Sequence, residues 1–364
     1  MKKLLAVLLG TALGLALCEA TTRQLSERLL SLSHPAVRFD PELGWVQREG
    51  EAGMRRNEAG QEVTIVGSPL GIRQPPQPYA TEGRETVLVV GDSFTAGTQL
   101  PFAETWTAQL ETLLRERHPN VQVVNAGVDR YDLSQSEAMA RRMAARFHPR
   151  HIVVAVYLGN DVLDYARDGQ VRGSALLRRS YFYHFVRGAL ARRRHASGDD
   201  EAKPVSVVEG WTPQSVPQFG ELRPDQQARI RGQFAAGDVL PVWRGGEEAE
   251  RRLASTEGQL RRFGDLARET SARLTVVFLP MKQEVIPEQR AELLALHHLT
   301  DDDVERVHRR LVRGLSALSA LDVTADLRAY PQPVDLFWTV DLHMTALGHG
   351  LVARTVALRM ERQW

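Results

Sequence analysis

The chain has 364 residues, of which 43% are hydrophobic and 25% are charged, so it can form one large α/β domain with an insertion or two small domains. Its formal net charge of +1 argues against a dedicated nucleic-acid-binding protein, which would need a broad basic surface. The single cysteine, Cys18, excludes an intramolecular disulfide and a cysteine-based zinc site.

The amino terminus has the form of a bacterial export signal. Lys2 and Lys3 precede an uncharged, largely apolar run of 15 residues that ends at Cys18. A membrane-spanning helix needs about 20 such residues, so the run is short for a span. The sequence predicts an exported protein, periplasmic or membrane-anchored, that works outside the cytoplasm. Segment 1–20 can be cleaved after Ala20, retained as a short anchor that associates with the membrane, or lipidated at Cys18.

Residues 21–83, the accessory segment, precede the main domain. Leucines at helical spacing predict a short amphipathic helix over 21–40. Residues 41–83 are rich in Gly, Pro, Glu and Arg and lack sustained periodicity. This composition predicts a few short strands or loops that lie against the main domain.

From residue 84 onward, buried apolar runs alternate with stretches of helical periodicity. The pattern predicts strands at 86–90, 121–127, 151–161, 273–280 and 321–327. It predicts helices at 104–117, 134–147, before 273, at 302–318 and at 346–361. Strands separated by helices of this length favour right-handed crossovers and a five-stranded, mainly parallel sheet that is covered on both faces.

An insertion predicted at about 165–246 interrupts this alternation. It contains seven arginines between Arg172 and Arg194 with no acidic residue among them, followed by a polar tract rich in Pro and Gly. A solvated basic helix, balanced by acidic residues elsewhere, is the favoured interpretation. Contact with an anionic envelope surface or polymer is the functional alternative.

Three residues with complementary chemistry follow three successive predicted strands. Ser93 comes just after the first strand, Gly127 ends the second and Asn160 lies at the end of the third. Open α/β sheets bind ligands at the carboxyl ends of their strands, so these residues are expected to meet. A serine oxygen, a backbone N–H beside a glycine and an amide donor together provide the nucleophile and the oxyanion hole of an acyl transfer. Taken singly, Gly127 is better explained as a turn glycine and Asn160 as a helix cap, and it is their joint occurrence at successive strand ends that favours a site.

The carboxyl-terminal segment supplies a candidate base for the serine. Asp341 stands two residues before His343, just ahead of a predicted helix. A serine becomes a good nucleophile when a histidine accepts its proton, and a carboxylate fixes the tautomer of that histidine. His349 competes for the role, but it lies inside the predicted helix and has no acidic neighbour in sequence. A histidine that satisfies a loop carbonyl is the structural alternative for His343.

These stretches together resemble the SGNH (GDSL-type) hydrolase superfamily. Its four blocks match GDS at 91–93, the glycine of NAG at Gly127, the asparagine of GND at Asn160, and the Asp-x-His pair near the end. The order and spacing of all four blocks make the resemblance specific over about 84–164 and 272–360. Two departures stand out: Phe94 replaces the leucine that gives the motif its name, and Leu158 stands where the third block usually has glycine.

The resemblance implies a flavodoxin-like three-layer α/β/α sandwich for residues 84–364. It implies Ser93 as nucleophile, His343 as base and Asp341 as the partner of the base. The Ser93 N–H, the Gly127 N–H and the Asn160 side chain would form the oxyanion hole, with no metal and no cofactor.

The leading functional hypothesis is an exported serine esterase that removes small acyl groups, acetyl in particular, from an envelope carbohydrate or a related ester. Its partner would be a small acyl ester or an acylated glycan, and nucleic acid is not expected. An O-acyltransferase would use the same three residues and pass the acyl group to a sugar hydroxyl. A non-catalytic binding module on the same fold is the third hypothesis, although a binding module has no need of a serine, a histidine and an aspartate together.

Overall fold

The computed structural model describes residues 2–25, 36–163, 180–186, 239–339 and 341–364. Most of the insertion predicted at 165–246, including most of its arginine-rich stretch, lies outside these residues. Within the insertion, the structure describes a short helical segment at 181–186 and the residues from 239 onward.

The amino-terminal part contains helix α1 (Lys2–Gln24) and two antiparallel hairpins. Strand β1 (Val37–Asp40) pairs with β2 (Gly44–Gln47), and β3 (Gly50–Arg56) pairs with β4 (Glu62–Gly67). The short strands expected in 41–83 are therefore present. The helix expected over 21–40 is wrong at its end, because Val37–Asp40 pairs with a strand that the local sequence pattern does not reveal.

The main domain is built on a five-stranded sheet in which all neighbouring strands are parallel. Its strands are β5 (Glu85–Val90), β6 (Val121–Asn125), β7 (His151–Tyr157), β8 (Arg273–Leu279) and β9 (Ala320–Asp322). They lie in the order β6-β5-β7-β8-β9, so β6, which follows β5 in the chain, is an edge strand beside it. Every residue of β6 and β7 is buried, as the continuous apolar runs predicted.

Helices cover both faces of this sheet and give the predicted three-layer α/β/α sandwich. They are α2 (Ser93–Ala96), α3 (Trp106–Arg115), α4 (Leu133–Phe147), α5 (Leu240–Arg244), α6 (Glu247–Glu269), α7 (Lys282–Val285), α8 (Pro287–His297), α9 (Asp301–Gly314), α10 (Thr324–Arg328) and α11 (Ala346–Glu361). Short 3-10 turns lie at Phe102–Glu104, Ser316–Leu318 and Pro333–Leu336. Helices α3 and α11 pack against each other, and α4 packs against α6.

The predicted fifth strand at 321–327 is wrong over most of its length. Strand β9 ends at Asp322, and α10 begins at Thr324. The Asp322 carboxylate accepts a hydrogen bond from the Thr324 N–H at 2.9 Å, so it satisfies a backbone donor at the start of that helix. A local side-chain contact of this kind ends the strand early.

The end of helix α1 contacts the described part of the insertion. The Glu19 carboxylate accepts hydrogen bonds from the Ser180 hydroxyl at 2.7 Å and from the Phe182 N–H at 3.1 Å. Glu19 thereby caps the helical segment at 181–186. Among the described residues, no helix combines the length and apolar character that a membrane span requires.

Candidate active site

Ser93 stands at the start of α2, in the turn that follows the central strand β5. The Asp92 carboxylate accepts a hydrogen bond from the Phe94 N–H at 2.9 Å and so caps α2. Gly97 ends the helix in the left-handed conformation, with φ +60°. The turn thus presents the half-buried Ser93 at the carboxyl edge of the sheet, as predicted.

The structure brings Ser93, His343 and Asp341 together. The Ser93 Oγ lies 2.7 Å from the His343 Nε2, and the His343 Nδ1 is hydrogen-bonded to an oxygen of the Asp341 carboxylate. The same Asp341 oxygen accepts the His343 N–H at 2.9 Å, which ties the carboxylate to the loop as well as to the ring. The order serine, histidine, carboxylate is the one that proton transfer from a nucleophilic serine requires.

The charges of the Asp341 carboxylate and the protonated His343 ring stabilise each other. Burial lowers the pKa of His343, but the Asp341 carboxylate, with Asp129 and Asp92 further away, outweighs burial and raises this pKa above its ordinary value. Burial raises the pKa of Asp341, but the His343 ring and the Lys282 ammonium outweigh burial and hold it well below its usual range. Asp341 is therefore ionised when His343 accepts a proton.

His349, the competing candidate for the base, is occupied elsewhere. It lies in α11, 2% exposed, and its Nδ1 accepts a hydrogen bond from the Trp106 N–H at 2.9 Å. Burial lowers the pKa of His349 to about 3, and the nearby His343 and Arg73 act in the same direction. A neutral ring that binds the first N–H of α3 has a structural role.

Gly127 lies against the helix that carries Ser93. A Cβ atom at this position would lie 2.5 Å from the Thr95 Cβ and 2.6 Å from the Ala96 backbone nitrogen. Glycine is therefore required for the close approach of the second strand end to α2. The Gly127 N–H donates to the Asn125 side-chain oxygen at 3.1 Å, so it must exchange this acceptor to serve an oxyanion.

The other two expected donors to the oxyanion are the Ser93 N–H and the Asn160 side chain. Within the described residues, the Ser93 N–H has no hydrogen-bond acceptor. The Asn160 Nδ2 donates to the Asp92 carboxylate at 3.3 Å, and its second hydrogen remains available because an amide nitrogen carries two. The Asn160 Oδ1 is buried and has no hydrogen-bond partner among the residues that the structure describes. Asp92 thereby links the cap of α2 to the asparagine side chain.

Sequence reasoning missed four residues that surround the predicted set. The Gln99 carboxamide lies 2.9 Å from the His343 Nδ1, and Arg73 donates to backbone carbonyls at the end of α2. Glu58 and Lys282 bind the backbone on either side of Asp341. Arg73, Glu58 and Lys282 contact backbone atoms, and Gln99 contacts the ring of a residue that is far away in the sequence. Contacts of these two kinds produce no recognisable sequence motif. Only Lys282, two residues beyond the end of the strand predicted at 273–280, offered a signal.

A family model described as the GDSL-like lipase/acylhydrolase family matches residues 89–351. The chain belongs to the GDSL-like lipase/acylhydrolase family. It is therefore an enzyme, a serine hydrolase that acts on carboxylic esters, as the resemblance implied. The matched region includes Ser93, Gly127, Asn160, Asp341 and His343.

Solved structures show weaker likenesses to this GDSL-family chain. The crystal structure of TesA shares 13% identity, with 77% of this chain and 100% of that chain covered and a TM-score of 0.41. Axe2, an acetylxylan esterase from Geobacillus stearothermophilus, shares 13% identity over 77% and 96%, with a TM-score of 0.39. LAE5, an alpha/beta hydrolase enzyme from the metagenome of Lake Arreo, Spain, shares 12% over 78% and 97%, with a TM-score of 0.39. No curated protein matches the chain.

Among the described residues, no group of His, Cys, Asp and Glu side chains has the arrangement of a metal site. The residues that the structure gathers around Ser93 offer a nucleophile, a base, a carboxylate and hydrogen-bond donors. This set can form and hydrolyse an acyl-serine.

Proposed function

We propose that the protein is an exported serine esterase that removes small acyl groups, acetyl in particular, from an envelope carbohydrate or a related ester. The observation that carries the proposal is the hydrogen-bonded series from Ser93 through His343 to Asp341, with 2.7 Å between the serine oxygen and the histidine nitrogen. This arrangement stands at the strand ends of a GDSL-family fold.

The first half of the reaction forms an acyl-enzyme. The Ser93 Oγ attacks the ester carbonyl carbon while its proton passes to the His343 Nε2. The negative oxygen of the tetrahedral intermediate is stabilised by the Ser93 N–H, by the Asn160 amide and, once it exchanges its Asn125 acceptor, by the Gly127 N–H. The bond to the sugar oxygen then breaks, and His343 returns the proton to that oxygen, which leaves as an alcohol.

The second half regenerates the enzyme. Water attacks the acyl carbon as His343 accepts one of its protons, and the acyl group leaves as a carboxylic acid when Ser93 recovers its proton. Asp341 stays ionised throughout and stabilises the imidazolium that forms twice per cycle. If a sugar hydroxyl takes the place of water, the same residues catalyse O-acyl transfer.

The export part of the proposal is supported by Lys2, Lys3 and the apolar run up to Cys18. The contact between Glu19 and the segment at 180–182 argues against cleavage after Ala20, because that cleavage would remove the carboxylate that caps this segment. A retained α1 would keep the enzyme at the membrane. The mass of the mature protein from exporting cells distinguishes retention, cleavage and lipidation at Cys18.

The test compares short-chain nitrophenyl esters with acetylated glycans, each with and without a glycan acceptor. Release of free acid that depends on Ser93 supports the esterase. Transfer of label to the acceptor with little free acid would identify an acyltransferase instead. Equal rates for the parent protein and the Ser93→Ala variant would contradict the mechanism.

A further inference from the structure

The turn between β3 and β4 reaches from the accessory segment into the active site. Asn57 is 5% exposed, and its Nδ2 donates to the Gln99 carbonyl at 3.1 Å. Gln99 in turn lies beside the His343 ring. The Asn57 side-chain oxygen accepts the N–H groups of Ala59 and Gln61, which closes the turn. The hairpin is thus fixed against the segment that follows Ser93.

Glu58, the next residue, holds the other side of the site. It is 5% exposed, and its carboxylate accepts the Thr339 N–H at 2.8 Å and also the Asp341 N–H. Each carboxylate oxygen takes one of these two donors. Both donors belong to the acid–base loop, residues 338–343, which carries the partner and the base of the proposed mechanism. Hydrogen bonds from backbone N–H groups to a carboxylate are among the stronger kind.

Lys282 binds the same loop through its carbonyl groups. Its ammonium is buried at the start of α7 and donates to the carbonyl oxygens of Trp338, Thr339 and Asp341, at 3.1, 2.9 and 3.0 Å. Burial lowers the pKa of Lys282 to about 8, although the Glu58 and Asp341 carboxylates oppose that change. A buried cation and a buried anion are tolerated when each is fully hydrogen-bonded and their charges offset.

We propose that Glu58 and Lys282 are positioning residues that clamp the acid–base loop from both sides, which makes the β3–β4 hairpin an integral part of the catalytic unit. This proposal rests on the proposed roles of Ser93, His343 and Asp341. An isolated antiparallel bridge between Phe337 and Met344 closes the base of the loop, and the Trp338 N–H donates to the His343 carbonyl at 3.0 Å. The N–H groups of Thr339 and Asp341 take their acceptor from the hairpin instead. In the proposed clamp, Glu58 accepts hydrogen bonds from N–H groups of the loop, and Lys282 donates to its carbonyl groups.

Loss of the clamp is expected to lower turnover more than it weakens substrate binding. Asp341 must hold the His343 ring within hydrogen-bond reach of the Ser93 Oγ, and a displacement of about 1 Å can cost roughly 10²-fold in rate. Glu58→Gln offers a single oxygen to two N–H groups, so either the Thr339 or the Asp341 donor loses its acceptor. We expect kcat to fall by about 10- to 100-fold with little change in KM.

The pH dependence separates a positioning role from a general loss of stability. The charged and titratable groups around His343 and Asp341 are Asp92 at the cap of α2, Asp129 after β6, His349 on α11, Lys282 on α7 and Glu58 in the hairpin turn. Glu58→Gln removes a negative charge, so the acid limb of kcat/KM should move to lower pH. Lys282→Met removes a positive charge, so the limb should move to higher pH.

The experiment measures kcat, KM and the pH profile on a nitrophenyl ester for the parent protein, Glu58→Gln and Lys282→Met. Glu62→Gln is the matched control, because Glu62 lies on the same hairpin and, within the described part of the chain, its carboxylate pairs with the exposed Arg56 at the surface. Urea unfolding and the far-UV circular dichroism spectrum show which variants are folded. If Lys282→Met does not fold, Glu58→Gln still decides the question.

Opposite shifts of the acid limb, together with a low kcat and an ordinary KM for Glu58→Gln, support the clamp. A folded Glu58→Gln variant with the kcat and pH profile of Glu62→Gln overturns it. Ser93→Ala is measured alongside to separate the two proposals. If Ser93→Ala abolishes turnover while Glu58→Gln has no effect, the mechanism stands and only the clamp fails.

Discussion

Arg73 of the accessory segment donates to the carbonyl oxygen of Gly97, the residue that ends the helix carrying Ser93. It also donates to the carbonyls of Ala96, at 3.0 Å, and of Leu100. The guanidinium is 1% exposed, and burial lowers its pKa to about 10, which leaves it charged at neutral pH. A cation at this end of a helix also complements the partial negative charge of its carbonyl groups.

Arg73→Leu is expected to destabilise the fold. The substitution leaves the buried carbonyls of Ala96 and Leu100 without a donor and removes one of the two donors to Gly97. Each buried carbonyl that loses its donor costs about 1–3 kcal/mol. We expect the free energy of unfolding in urea to fall by roughly 3 kcal/mol or more. Arg56→Leu is the control: Arg56 pairs with Glu62 at the surface, where an ion pair is worth about 0–1 kcal/mol. Equal losses for the two variants would contradict the role of Arg73.

His343 and His349 should respond differently to replacement by alanine. His343→Ala removes the proton acceptor of Ser93, so kcat/KM should fall by roughly 10³–10⁶-fold while the protein stays folded. His349→Ala leaves the buried Trp106 N–H unpaired, so it should lower stability by about 1–3 kcal/mol while the folded fraction retains turnover. Activity assays beside urea titrations measure both effects. A dead His349→Ala and an active His343→Ala would reverse the assignment of the base.

Activity should decline on the acidic side at a pH above the ordinary histidine value. His343 must be neutral to accept the Ser93 proton, and its pKa is raised above about 6.5 by Asp341, Asp129 and Asp92 against the effect of burial. The rate should therefore be full above this pKa and fall as the pH drops through it. Asp92→Asn removes one of the three anions, so its kcat/KM profile should extend to lower pH. A limb that moves to higher pH in Asp92→Asn would contradict this electrostatic assignment.

The His308 ring should make stability sensitive to alkaline pH. It lies between the Asp322 carboxylate at 2.7 Å and the Glu284 carboxylate at 2.8 Å. Burial lowers the pKa of His308, but the two carboxylates outweigh burial and raise it to about 10. The unfolded value is about 6.5, so the stabilisation is complete below that pH and is lost as the pH rises through about 10.

The measurement is the free energy of unfolding in urea between pH 6 and pH 10. The parent protein should lose stability over this interval more steeply than His308→Gln, which cannot carry the proton. The difference between the two should be largest at the acidic end. Parallel curves would show that His308 is not protonated in the folded protein.

The sequence was sufficient for those parts of the fold that local pattern determines. The residues of β5 and of α4 were predicted within one or two positions, because a continuous apolar run or a helical face marks them. Helix α8 was missed because it buries a single residue, Leu293, so that no apolar face repeats along its sequence. Strand β1 was missed because its pairing with β2 is not a local property.

The residues of the candidate site likewise fall into those that the sequence predicts and those that it does not. Ser93, Asp341 and His343 were expected together because a serine nucleophile requires a base and a carboxylate, and the chain offers these beside recognisable turns. Glu58 and Lys282 were not expected, because their contacts are to backbone N–H and carbonyl groups, which every residue carries. The identity of a backbone donor leaves no trace in the sequence. Only the folded arrangement reveals such a pairing.

Asn160→Ala should slow the reaction while the fold persists. The asparagine is half-buried, and its Nδ2 is held by the Asp92 carboxylate, so one of its hydrogens has a fixed direction and the other can face the developing oxyanion. Loss of one donor at that point costs about 10²–10³-fold in kcat. Rates from single-turnover acylation with a nitrophenyl ester measure this step directly.

Gly127→Ala provides the comparison, because it acts on the same site through packing. The new Cβ would lie 2.5 Å from the Thr95 Cβ, so α2 must move and carry Ser93 with it. This variant should lose both stability and acylation rate, whereas Asn160→Ala should lose mainly rate. An Asn160→Ala protein that is folded and acylates at the parent rate would remove Asn160 from the oxyanion hole and leave that task to the N–H groups of Ser93 and Gly127.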